Sequence, residues 1–378
     1  KETFLFYEKA NEELKKTEID ILKITDSNTI GLKYDKNNES CPFLALLKKP
    51  GYSGDEKSIR NDDGEMGLGS FGIGKFAPFT ISSLRTIYYE TKYIEEGETK
   101  HLLQSKTLGQ SCYLKSIDKH VSGLSYYGVP GDKIGKVKRE GIEVSLDEED
   151  VQPISNFQDF PNWFQENGNK LDNGTSLYIL GIEINQKIRD RALVSLIQNY
   201  FAKIIEEKVK FDIDGNIIED KKTLIDLITN ESFIERISSY GEEDELKLKN
   251  ASYYIKAYLD GDKIEFTSDL LGKIKISIDY AKDKNDKNTR ENDKVKKHEL
   301  GFLRQGMFIT NVLGKEFNKT YHTFDNFNPH FFATIDFLSQ EGTDIIRKLE
   351  SADHQSFVLT RFEEDEKPKI INGMKKFA

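Results

Sequence analysis

Apolar residues recur at helical spacing along residues 187–207, where Ile188, Ala192, Leu193, Leu196, Ile197, Tyr200, Phe201, Ile204 and Ile205 share one face. Residues 1–20 show a weaker version of that pattern, with Leu5, Tyr7, Ala10 and Leu14 set among Glu and Lys, and predict an amphipathic helix. A helix is also expected over 76–83 and over 223–238, and a short one at Phe43 to Leu47 inside an otherwise polar stretch, 33–66. Period-2 alternation marks strands at 84–91, at 208–215 with its closing Asp-Gly turn, and over Lys273 to Ile278 within 272–280. Short apolar runs predict further strands at 21–25, 102–105, 111–114, 174–182, 253–259 and 331–338, and 303–310 reads as a turn leading into a strand. Helices and strands follow one another without an internal repeat, which predicts an α+β fold. Two domains are expected, 1–215 and 216–378.

Composition narrows the class. The chain has 378 residues, 37% hydrophobic and 32% charged, as expected of a globular protein with a heavily charged surface. No apolar run approaches the ~20 residues that span a bilayer, so no membrane partner is expected. The two cysteines, Cys41 and Cys112, are too few for a disulfide framework or a cysteine zinc site, and a reducing cytoplasm is the expected compartment. A net charge of −10 argues against a generally basic nucleic-acid coat but leaves room for a local basic surface. The mixed-sign run at 281–299 reads either as a solvated loop or as a DNA contact.

Two stretches carry candidate chemistry. In Gly67-Leu68-Gly69-Ser70-Phe71-Gly72-Ile73-Gly74-Lys75, four glycines alternate with other residues and lead into a helical run. Such a loop can turn its N–H groups toward an anion, with the following helix start adding its dipole, or it can be a plain surface loop. Upstream, Asp26-Ser27-Asn28-Thr29-Ile30-Gly31-Leu32 sets a carboxylate at a strand end against a glycine turn. That carboxylate can accept from an exocyclic amine such as adenine N6, and the same residues can also form an ordinary Asx turn. Gly-x-Gly-Lys lacks the spacing and the Ser/Thr of a P-loop.

Taken with Gly174-Thr175-Ser176, these pieces resemble, in order and character, the GHKL ATPases, the group of DNA gyrase, the Hsp90 chaperone, histidine kinases, MutL and MORC. The chain looks most similar to a bacterial MORC/MutL-like branch linked to restriction and phage-defence gene clusters. Arg304-Gln305-Gly306-Met307 and the cluster Glu350 to His354 resemble downstream signatures of that branch. The resemblance implies a Bergerat-type two-layer α/β sandwich at 1–215 and a transducer-like α+β domain at 216–378. It implies ATP and Mg2+ as cofactors. Asp26, Asn28 and Gly31 would form the adenine box, Gly69, Ser70, Phe71, Gly72, Ile73, Gly74 and Lys75 a lid over the phosphates, and Thr175 a support at the adenine edge. Arg304, with Lys315 behind it, is the candidate sensor of the γ-phosphate.

One departure bears on catalysis. Relatives carry a helix with a Glu that activates water and an Asn that holds magnesium, spaced Glu-x-x-x-Asn, whereas Glu8 and Asn11 are three apart. Because the chain begins at Lys1, the general base and the magnesium ligand are expected upstream of it. The resemblance implies an ATP-hydrolysing switch or clamp that forms a homodimer on ATP and acts on DNA or an effector protein such as a nuclease. A non-hydrolysing nucleotide-sensing scaffold is the alternative. A histidine-kinase-like phosphotransferase fits less well, since no His-box helix is visible.

Overall fold

The structure is a computed structural model that describes residues 2–38, 41–47, 74–109, 112–114, 118–121, 123–130, 136–139, 142–145, 151–166, 172–280, 298–311, 331–351 and 356–375. It is α+β, as the patterning predicts, and divides into two compact units, Lys1–Ile184 and Asn185–Ala378. None of the described helices is long and apolar enough to cross a membrane.

The first unit is built on an antiparallel sheet of five strands. These are β1 (Ile21–Ser27), β2 (Thr86–Glu95), β3 (Glu98–Leu108), β4 (Leu124–Tyr127) and β5 (Gly174–Leu180), in the spatial order β1-β5-β2-β3-β4. The last strand in sequence thus inserts between the first two. Alternation assigns the side chains to two faces. Ile87, Tyr89 and Ile179 point to one face and pack against Phe43 and Leu47 of helix α2 (Pro42–Leu47) and Phe79 of α3 (Ala77–Ile81). On the other face Leu103 and Tyr178 pack against Ile154, Phe160 and Phe164, the last from α4 (Asn162–Glu166). The sheet is therefore covered on both sides. The amphipathic pattern at the start of the chain forms α1 (Glu2–Leu14), which ends before β1.

In the second unit the long periodic segment forms α5 (Gln186–Ile205), capped by the Asn185 carboxamide oxygen, which accepts from the Ile188 N–H at 3.1 Å. Three further helices come next, α6 (Lys221–Ile228), α7 (Glu231–Tyr240) and α8 (Glu242–Asp260). A mixed sheet is formed by β6 (Asp262–Ser268), β7 (Gly272–Tyr280), β8 (His298–Arg304), β9 (Met307–Thr310) and β10 (Phe331–Phe337), ordered β6-β7-β10-β8-β9. Only the β8–β10 pairing is parallel. One core joins Val194, Ile197 and Phe201 of α5 to Phe233, Tyr254, Phe308 and Phe332. A second core sets Ile274, Phe302, Ile335 and Phe337 against α9 (Gln340–Leu349) and α10 (Lys367–Lys375).

Three expectations need correction. The division falls ahead of α5 rather than at 215, because the buried face of α5 completes the core formed with α7, α8, β9 and β10. Residues 253–259 are helical. Tyr253, Tyr254, Ile255 and Tyr258 favour strand locally, but Leu248, Ala251, Tyr254, Ile255 and Tyr258 fall at helical spacing and are all buried. Residues 223–238 are two helices, since Asn230 accepts from the Phe233 N–H at 2.9 Å and starts α7 afresh. Smaller shifts also occur. Gly74–Phe76 is a 3-10 turn ahead of α3, and a left-handed Arg85 (φ 46°) delays β2 to Thr86.

Candidate functional site

The two motifs that suggested an adenine site meet on adjacent strands. β1 and β5 pair so that Asp26 lies opposite Thr175 and Ser27 opposite Gly174. The Thr175 backbone N–H donates to Asp26 Oδ1 at 2.5 Å, and the Thr29 hydroxyl donates to Oδ2 at 2.9 Å. Thr175 is buried while Asp26 is exposed. An ionised carboxylate offers about four acceptor positions, so each Asp26 oxygen retains capacity for an incoming donor.

The turn after Asp26 is shaped by backbone rather than by a packed side chain. Asn28 is left-handed (φ 59°), and the next N–H, that of Thr29, donates to the Asn173 carbonyl at 3.2 Å. Gly31 has φ +66°, and a Cβ there would stand 2.2 Å from the Lys92 carbonyl oxygen. Gly174 is confined in the same way, with a Cβ 2.1 Å from the Asp26 carbonyl oxygen. Both glycines are thus required by close backbone approach. Thr91 ties the pieces together: its hydroxyl accepts from the Leu32 N–H at 2.8 Å and donates to the Gly174 carbonyl at 3.2 Å. Thr91 is not singled out by sequence, where it looks like any strand threonine. The only signal is its place in the strand that the glycine run leads to. Close to Asp26 in the chain, two apolar side chains are exposed, Ile24 at 49% and Ile30 at 58%.

Of the lid, Gly69, Ser70, Phe71, Gly72 and Ile73 lie outside the described residues. Gly74 begins the 3-10 turn, and a Cβ there would meet nothing within 4 Å. Lys75 donates from Nζ to the Ala45 carbonyl of α2 at 2.6 Å, and burial pushes its ammonium below the usual lysine range. Lys106, buried on β3, reaches the neighbouring Leu47 carbonyl at 2.5 Å. Two cations therefore converge on the C-terminal carbonyls of α2, where a helix favours positive charge.

Arg304 is placed differently from the expected sensor. It is 1% exposed and pairs through Nε with Glu350 Oε1 at 2.8 Å, Glu350 being fully buried. The Arg361 guanidinium donates to the Glu350 carbonyl at 3.1 Å. The two downstream signatures, Arg304-Gln305-Gly306-Met307 and Glu350, are thus joined by one ion pair. The turn after Arg304 is left-handed at Gln305 (φ 50°) and Gly306 (φ 73°), and the Gly306 N–H donates to Asp336 Oδ1 at 3.2 Å. Burial raises the Asp336 carboxyl to about 6. Lys315 and the run at 281–297 lie outside the described residues.

On the opposite face of the first sheet, Glu90 is fully buried and bonded by His101 Nε2 at 2.6 Å and by the Tyr178 hydroxyl at 2.8 Å. His101 is stacked on Phe157. This network braces the strands behind the Asp26 turn. Among the described residues no group of three His, Cys, Asp or Glu side chains is arranged to hold a metal ion. Comparison with models of known protein families and with curated protein sequences gives no match to this chain.

Proposed function

We propose that the first unit binds ATP as a GHKL-type, Bergerat-like domain, and that the chain works as an ATP-operated conformational switch or clamp in a bacterial defence or DNA-transaction system. The observation that carries this reading is the register of β1 on β5. Residues 149 positions apart in sequence, Asp26 and Thr175, are bonded to each other near the end of the β1–β5 pair, with Asp26 exposed. In this arrangement Asp26, oriented by the Thr175 N–H and the Thr29 hydroxyl, accepts from the exocyclic amine of adenine. Ile24 and Ile30 offer apolar contact to the base. Guanine presents a carbonyl where adenine carries its amine, and so meets the carboxylate as acceptor against acceptor. ATP supplies the phosphate charge that Lys75 and the glycine run would receive. Mg2+, the homodimer and a DNA or effector partner belong to the same proposal.

A second reading, a nucleotide-sensing scaffold without hydrolysis, is favoured by the engagement of Arg304 with Glu350. Phosphate release measured on the full-length protein separates the two readings. Binding itself is tested by calorimetry on Asp26→Asn. The amide can still accept from the Thr175 N–H, so the turn persists, but its NH2 opposes the adenine amine. ATP affinity should fall by about 30- to 150-fold, the equivalent of about 2–3 kcal/mol. Unchanged affinity would remove Asp26 from the site.

A further inference from the structure

β6 is the outer strand of the second sheet, paired only with β7 among the described residues, and every residue on it except Ser268 is exposed. Across that sheet Phe302, Ile335, Ile276 and Ile264 lie in register on four consecutive strands. Phe302 and Ile335 are buried, Ile276 is partly buried, and the row ends at Ile264, which is 51% exposed. Phe266, on the same face of β6, is 37% exposed. An apolar row thus runs out to an open strand edge whose backbone can still pair.

We propose that this edge pairs with β6 of a second copy of the chain, antiparallel about a two-fold axis through Ile264. The charges and the isoleucine row together select that register. A two-fold axis normal to the sheet keeps each side chain on its own face, so only like-facing residues come opposite one another. With the axis at Ile264, Lys263 of each copy faces Glu265 of the other, twice over, and the isoleucine row continues as Ile276–Ile264–Ile264–Ile276. Moving the axis to Glu265 would set Glu265 against itself, and moving it to Lys263 would set Lys263 against itself, both destabilising. Lys263 and Glu265 are the kind of charges that normally guard an edge, and in this one register they match. Glu265 already pairs with Lys273 at 2.9 Å, but both side chains are more than half exposed, so sharing it costs little. An interface of this length belongs to the small, transient class and forms at high protein concentration. It does not depend on nucleotide.

The test is disulfide trapping with sedimentation on the full chain. Opposed residues on paired strands hold their Cβ atoms about 4.5–5.5 Å apart, close to disulfide range. Ile264→Cys should give an oxidised homodimer, while Phe266→Cys and the parent chain, with its own Cys41 and Cys112, should not. Lys263→Glu should weaken self-association at least tenfold, and Lys263→Glu with Glu265→Lys should restore it. A monomer at every concentration, trapping through Phe266→Cys as readily as through Ile264→Cys, or indifference to Lys263→Glu would each overturn the proposal.

Discussion

Asp336 is the residue whose chemistry most directly reaches stability. Its carboxyl is 2% exposed, and burial, reinforced by the nearby Glu206, raises it from 3.8 to about 6. A carboxyl raised on folding holds its proton more tightly in the native state. The stability contributed by this carboxyl is therefore fully present below the unfolded value near 4, falls as pH rises from about 4 to about 6, and is lost beyond. The loss across that window totals about 3 kcal/mol. Asp336→Asn keeps an acceptor for the Gly306 N–H, so in urea titrations it should raise stability over the parent chain at pH 8, and that gain should shrink as pH falls from about 6 to about 4. At Gly31, a φ of +66° and a carbonyl 2.2 Å from any Cβ mean that Gly31→Ala should cost about 2 kcal/mol or more by the same measurement. Glu350→Ala would remove the carboxylate that pairs with the buried Arg304 charge, and about 3–5 kcal/mol of stability should go with it. Were Arg304 a nucleotide sensor instead, the same change would spare stability and alter only nucleotide turnover.

At the scale of elements, legibility in the sequence depends on whether one signal dominates. In α5 nine apolar residues share a face, and the structure differs from its expected span by only a residue or two. β1, β5, β7 and β10 are also visible, because short apolar or alternating runs bounded by turns have few other solutions. Where two signals compete, local preference misleads. The tyrosines of α8 suggest a strand until packing against Phe308 and Phe332 is taken into account. β6 escapes notice because its residues alternate over a strand with no buried side, and α9 and α10 because their apolar faces are short. The 215 boundary fails for a related reason, since a helix does not announce which neighbour it will pack against. A fragment spanning Asn185–Ala378 should fold cooperatively by circular dichroism and urea titration. One starting at 216 lacks α5 and should not, because it exposes the partners of Ile197 and Phe201.

For the molecule as a whole, the candidate site is half legible. Asp26, Gly31 and Thr175 are named by motif order; the structure brings Asp26 and Thr175 together through the β1–β5 pairing and sets Gly31 against Lys92 of β2. Thr91, Lys106 and the Glu90–His101–Tyr178 brace are not, because each depends on which strands become neighbours, and β5 arrives between β1 and β2 from far along the chain. The most direct test of the account is base selectivity measured by calorimetry with ATP and GTP on the chain and on Asp26→Asn. If Asp26 reads the adenine amine, the chain should bind ATP at least tenfold more tightly than GTP, and Asp26→Asn should erase that preference. Equal binding of the two nucleotides, or a preference that survives Asp26→Asn, would contradict it.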